Sequence, residues 1–318
     1  MRNFCRAVAA CMALAAVGSL AGCKDESKGA AQAGVSATTA DTAELAKSNA
    51  YITAANVGGR TFSNALDTYQ QTIAPKLAKQ KALSDYAVVP PLKVSQIQTR
   101  LQTAIALKGS IPELDQVARD FAAAIDAFVP VNNGLANYAE SKGFLADGGA
   151  KAREGDAAYV ASLSRVAEAE TKFLDQIEAR DERLVREAYE AAPEGSVERY
   201  RAGIILSGKK AMNEVVTVFT EPSNTAARQQ FASHLDEMAG MVEKWDAAVR
   251  AKKPEGCAIL QSRFNSVIAG GRKAVQNAEQ GRFNRDAGAP PVGLQFEFSI
   301  LQSNFASMIN ELNRPFSC

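Results

Sequence analysis

Apolar residues return along this chain at steps of three and four, the spacing that gathers them on one face of an α-helix. The pattern opens after Asp41-Thr42-Ala43-Glu44, which has the spacing of a capping box, and continues through Leu45, Ile52, Phe62, Leu66, Tyr69 and Ile73. Gly58-Gly59 interrupts it and predicts a bend. Pro75 is not expected to end it cleanly, whereas Pro90-Pro91 predicts a full break. A second helix is expected through Val94, Ile97, Leu101 and Ile105, stopping near Gly109. Ser110-Ile111-Pro112-Glu113 joins a cap, an early proline and a box glutamate, and predicts a third helix. That helix carries Leu114, Val117, Phe121, Ile125 and Phe128, with a kink or division at Pro130 before Leu135 and Tyr138.

After a glycine-containing stretch from Gly143 to Gly155, a long helix follows through Val160, Leu163, Val166, Phe173, Ile177, Leu184 and Tyr189. Glu168 with Lys172, and Glu182 with Arg186, have the four-residue spacing of solvent-facing ion pairs. Breaks are expected at Pro193–Ser196, at Glu221–Asn224 and at Pro254–Gly256. Between them lie a helix from Val197 to about Phe219 and one bearing Phe231, Leu235, Met238, Val242, Trp245 and Val249. Two closing segments run through Leu260, Phe264 and Val267, and through Phe298, Leu301, Phe305, Met308 and Leu312. Only Leu294 to Phe298 alternates briefly in the manner of a strand. The pattern predicts an all-α, elongated, antiparallel multi-helix bundle of roughly seven to nine helices, open to division into two stacked sub-bundles near Pro193.

The start of the chain differs from all of this. Arg2 and Arg6 precede a mainly apolar run, Ala7 to Leu20, which ends in Leu20-Ala21-Gly22-Cys23. A basic start, a short apolar core and small residues before a cysteine describe a lipoprotein secretory signal. The run is shorter than the roughly 20 apolar residues of a membrane-spanning helix, and Lys24 and Asp25 close it. Three segments are therefore expected: a signal peptide over 1–22, an acylated Cys23 with a flexible tether over 23–40, and a helical domain over 41–318. Ordinary cleavage at an Ala-x-Ala-like site would instead give a soluble periplasmic protein. With two or more acyl chains, at about 0.8 kcal/mol per buried methylene, attachment would be stable. Lys24 stands where aspartate commonly signals inner-membrane retention, which favours the outer membrane.

Charge removes one class of partner. Of 36 Lys and Arg, two fall in the leader, leaving 34 against 35 Asp and Glu, so no basic excess is present to hold nucleic acid. Cys5 and Cys11 leave with the leader and Cys23 is taken by lipid, so Cys257 and Cys318 form an even pair in an oxidising compartment. Two closing helices of similar length, joined by the loop from Gly281 to Pro291, would fold back antiparallel and bring these cysteines together. A disulfide between them is the expectation, with a link between two molecules as the alternative.

No set of residues announces catalysis. His234, with Asp236 and Glu237 beside it, is the only histidine, too few for a di-iron helical cluster or a zinc site. A Ser–His–Asp triad would have to use it too, without a Gly-x-Ser-x-Gly elbow. Paired carboxylates could cleave glycans, yet acids spaced along helices are usually a solvated face. The more interesting set is Asn49, Tyr51, Asn56 and Asn265: polar residues inside helices, either lining a ligand groove or bonding across packing contacts, with packing favoured. Gly208, Gly240, Gly270 and Gly271 lack any phosphate-binding pattern and suit close helix approach.

Four short segments remain: Asn49-Ala50-Tyr51-Ile52 with Asn56, the run from Tyr138 to Lys151 (YAESKGFLADGGAK), Phe264 to Ile268 with Arg272, and Met308 to Asn313. Together they are similar to the YiiG-type family of bacterial lipoproteins, whose folded region is a domain of unknown function. The chain departs from the family pattern at Ala139 and Ala146, where a second aromatic and a second acid would stand. The resemblance implies a secreted helical lipoprotein without an established activity. The expected function is a non-enzymatic helical binding or scaffold module of the cell envelope, without cofactor or metal. Its partners would be the membrane, through the lipid on Cys23, and an envelope protein or glycan. A small-ligand or lipid site between helices is the alternative, and an envelope hydrolase the weaker one.

Overall fold

The structure, a computed structural model, describes residues 39–80, 82–283 and 292–314. The segments expected over 1–22 and 23–40, with Cys23 and the last four residues, fall almost wholly outside them. The described chain is mainly helical and contains no strand among the described residues. Its helices are α1 (Thr39–Gly58), α2 (Thr61–Thr72), α3 (Ala74–Ala78), α4 (Pro91–Ala106), α5 (Pro112–Glu140), α6 (Ala150–Ala191), α7 (Val197–Thr220), α8 (Thr225–Lys252), α9 (Ala258–Glu279) and α10 (Val292–Leu312). A 3-10 turn, Gly143–Leu145, lies between α5 and α6. No described helix is long and apolar enough to cross a membrane.

The chain divides into two compact units, the first ending at Glu178 and the second starting at Ala179. The division falls within α6, upstream of the expected point near Pro193. In the first unit α1 packs on α4 and α4 on α5. Its core is aromatic: Phe62 meets Phe121 and Phe128 edge-on, and Phe173 of α6 contacts Tyr51 and Phe121. In the second unit α7 packs on α8, α8 on α9, α9 on α10 and α10 back on α7, a closed four-helix arrangement with short turns after α7 and after α8. The stripe Phe231, Leu235, Met238, Val242, Trp245 and Val249 is buried in full, with Trp245 edge-on to Phe264.

Local chemistry explains most boundaries. Gly59 takes φ +56°, a left-handed value, and turns the chain between α1 and α2. Pro91 opens α4, Ser196 caps α7 through Arg199 N, and Asn224 caps α8 through Ala227 N. Five expectations need correction. Helix α1 starts at Thr39, so Asp41 lies inside it and not at its cap. At α5 the cap residue is Ile111, whose N–H is held by the Asp115 carboxylate, one residue further along than the Ser110–Glu113 box. Pro130 neither divides nor ends α5, which runs on to Glu140. Leu294 to Phe298 is helical, and Leu45 is exposed, not part of the core stripe.

Candidate functional site

The four polar residues singled out by the sequence do not share one face. Asn49 and Asn56 are seven residues apart on α1 and lie on one side; Asn49 is half-buried and Asn56 exposed. Tyr51, two residues after Asn49, points to the other side, since two steps of a helix rotate about 200°. It is fully buried, and its hydroxyl donates to Asp115 Oδ1 at 2.6 Å. Lys47 Nζ reaches the same carboxylate at 3.0 Å and donates to the Gly109 carbonyl. Burial pushes the Asp115 carboxyl upward, but the bonds from Tyr51, Lys47 and the Ile111 N–H outweigh it and hold it below its usual range. Tyr51 is thus spent on fixing α1 against the start of α5. Asn265 is exposed on α9 in the second unit.

A different polar residue occupies the core of the first unit. Glu170 of α6 is completely buried, and its carboxylate accepts from Phe62 N at 3.1 Å, Ser63 N at 2.8 Å and Ser63 Oγ at 2.8 Å. The two N–H groups and the hydroxyl all belong to the first turn of α2, so one helix caps another from the side. Burial lifts the Glu170 carboxyl to about 7, against the pull of those bonds and of the Arg60 charge.

The most site-like arrangement surrounds residues 82–90, which link α3 to α4 in neither helix nor strand. Leu83, Tyr86 and Val89 are buried, while Ala82, Ser84, Asp85 and Ala87 are exposed. A beat of three is that of the polyproline II conformation, and Pro90 at the end of the segment has φ −59° and ψ 125°. Each buried residue has its own seat. Leu83 rests on Gly149, where φ is +92° and an added Cβ would lie 2.7 Å from the leucine side chain. Tyr86 is edge-on to Tyr69 and Tyr138 and packs beside Phe144. At Val89 the main chain is held from both sides: its N–H donates to Tyr159 Oη at 3.1 Å, and its carbonyl accepts from Asn132 Nδ2 at 2.9 Å.

The run from Tyr138 to Lys151 builds two of these seats. Asp147 accepts from Tyr138 Oη at 2.7 Å, from Gly149 N at 2.8 Å and from Lys151 N at 3.1 Å, and so closes the first turn of α6 with its own carboxylate. The bond from Tyr138 holds Asp147 below the usual carboxylate range, while burial, then Asp147, pushes Tyr138 up to about 12. Tyr69 donates to Asp156 at 2.7 Å. Asn132 Oδ1, a buried atom of the seats, has no hydrogen-bond partner among the described residues, whereas the Tyr86 hydroxyl interacts with that of Tyr69. The sequence reading missed this site. Its signal was the three-residue spacing of Leu83, Tyr86 and Val89 running into Pro90-Pro91.

Elsewhere, His234 is more enclosed than a surface histidine, with Nδ1 3.6 Å from Glu237, and its neighbour Asp236 pairs with Arg272 at 2.7 Å. Among the described residues no three His, Cys, Asp or Glu side chains are grouped to hold a metal ion. Cys257 is buried at the head of α9, whereas Cys318 lies outside the described residues.

Neither the curated proteins nor the solved structures contain a significant match to this chain. A family model does match, over residues 42–314, nearly the whole of the described fold. The chain therefore belongs to the family described as Protein of unknown function (DUF3829).

Proposed function

We propose that this is a lipoprotein of the bacterial cell envelope, acylated at Cys23, whose helical body is a non-enzymatic binding or scaffold module on the periplasmic side of the outer membrane. One observation carries the reading. The polar side chains of the first unit converge on its own backbone and tyrosines, as in Tyr51–Asp115, Glu170–Ser63, Tyr138–Asp147 and the two-sided hold on Val89. Such groups position and hold chain. The Leu-Ala-Gly-Cys pattern at 20–23 and the similarity to YiiG-type lipoproteins support the anchored location. Replacing Cys23 with serine is expected to abolish acyl labelling and release the protein from the membrane fraction. Unchanged labelling and fractionation would refute the anchor. Crosslinking in intact cells is expected to recover one specific envelope protein or glycan, and recovery of none counts against the scaffold.

A second reading, a small-ligand or lipid site between helices, has support at Asn132 Oδ1, which is buried and has no partner among the described residues, more than at Asn49, Asn56 or Asn265. The disulfide is proposed alongside. Asn277 meets Glu297 at 2.7 Å and Asn304 meets the Ser266 carbonyl at 3.3 Å, so α9 and α10 run antiparallel. That register, continued, sets Cys257 beside the end of α10, within a few residues of Cys318.

A further inference from the structure

We propose that the seats formed by Gly149, Tyr69, Tyr138, Phe144, Tyr159 and Asn132 are a docking groove for an extended peptide, which residues 82–90 fill from within the chain. The outside ligand is a peptide of another protein with apolar residues at every third position and an aromatic in the middle. The inference rests on the binding-module reading and names its partner's chemistry.

Three observations carry it. First, the groove grips main chain. Asn132 and Tyr159 bond the carbonyl and N–H of Val89, atoms that every peptide offers, while a glycine notch and an aromatic box take the side chains that differ. Main-chain bonds for affinity and alternating pockets for specificity are the division of labour in peptide recognition. Second, the occupant is extended and separable. Residues 82–89 lie in neither helix nor strand, so their release unwinds no helix while Pro90 stays at the head of α4, its carbonyl accepting from Lys93 N and Val94 N; outside the groove their polar tie is the exposed pair Lys76–Asp85. Third, the internal fit is incomplete. Asn132 Oδ1 is buried without a partner among the described residues, although buried polar groups are nearly always paired. Gln80, leading into the segment, adopts φ +51°, a left-handed value that residues with side chains seldom take. A ligand that donates to Asn132 Oδ1 improves on the resident segment.

The test uses the purified full-length protein and a labelled peptide of residues 82–91, ALSDYAVVPP, with a control in which its Leu, Tyr and second Val are glycine. In the protein, Leu83→Gly, Tyr86→Gly and Val89→Gly together keep the segment's length and remove its anchors. A tethered competitor acts at an effective concentration near the millimolar range, so this variant is expected to bind the peptide about tenfold or more tighter than wild type. The control peptide is expected to bind neither protein. Equal binding of the two peptides, or no gain in a variant that keeps the wild-type helical spectrum, overturns the proposal. Amide exchange in the wild type gives an independent decision should the variant lose its helices. The Val89 N–H is expected to exchange about tenfold or more faster than that of Phe128 in the core of α5, by local opening. Exchange of Val89 only at the rate of global unfolding overturns it. Both measurements are indifferent to Cys23, so failure of the anchor and failure of the groove are told apart.

Discussion

Glu170 stands where the helical beat of α6 calls for an apolar side chain. The buried positions run Tyr159, Leu163, Val166, Glu170, Phe173, Ile177, Asp181 and Val185, and the two acids fall in phase with the rest. Their partners explain why: α2's first turn for Glu170, and Lys209 for Asp181. Because the folded state holds the Glu170 proton up to about pH 7, against an ordinary 4.5, its contribution to stability is full below pH 4.5. It erodes as pH rises and is lost above about 7, a change on the order of 3 kcal/mol. Glu170→Gln is neutral throughout, so urea midpoints measured from pH 5 to 8 are expected to fall for wild type and stay nearly level for the variant. Tyr51→Phe removes one of the bonds on Asp115 and is expected to cost about 1–2 kcal/mol in the same assay, leaving Lys47 to hold the carboxylate. Burial of such polar residues was only half legible in the sequence. An acid on an apolar stripe is visible in principle, but the groups that neutralise it are 107 and 108 positions away for Glu170 and 64 for Tyr51.

Among the elements, the long helices were plain to read, because 3.6-residue periodicity and proline or glycine breaks are local properties. The boundaries at Pro193, Pro222 and Pro254 fell where expected, and Asn224 gives the local account at the middle one. Asn224→Ala should destabilise the second unit by about 1 kcal/mol, read as a lower midpoint of thermal unfolding, since the Ala227 N–H loses its cap. Pro130 was over-read. A proline costs a helix one N–H and a steric clash, and here the helix around it, anchored by Phe128, Asn132 and Leu135 in the core, outweighs that local penalty. The segment 82–90 was not read at all, for its three apolar positions are too few to register against a helical beat. Its seat at Gly149 is a sharp point of control. Gly149→Ala combines a contact of 2.7 Å on Leu83 with a left-handed backbone, and is expected to cost about 1–3 kcal/mol and quicken amide exchange at Val89.

At the scale of the whole molecule, two units with separate cores share one continuous helix, α6. In the second unit Arg201 of α7, half-buried, donates to the Leu312 carbonyl at the end of α10. The proposed Cys257–Cys318 bridge would close that same end. Replacing Cys318 with serine is expected to cost up to about 4 kcal/mol in the chain-entropy model, and the loss should appear in amide exchange of residues after 179 and spare those before it. Mass spectrometry without reductant that finds two free thiols, or a dimer linked through Cys318, would remove the bridge. The three-beat of residues 82–90 also leaves a mark on how the chain tolerates change. In a library with every position substituted in turn, sensitivity should rise and fall every three or four residues through the helices. Between Leu83 and Val89 the ripple should tighten to strictly every third residue, with Ser84, Asp85 and Ala87 free to vary.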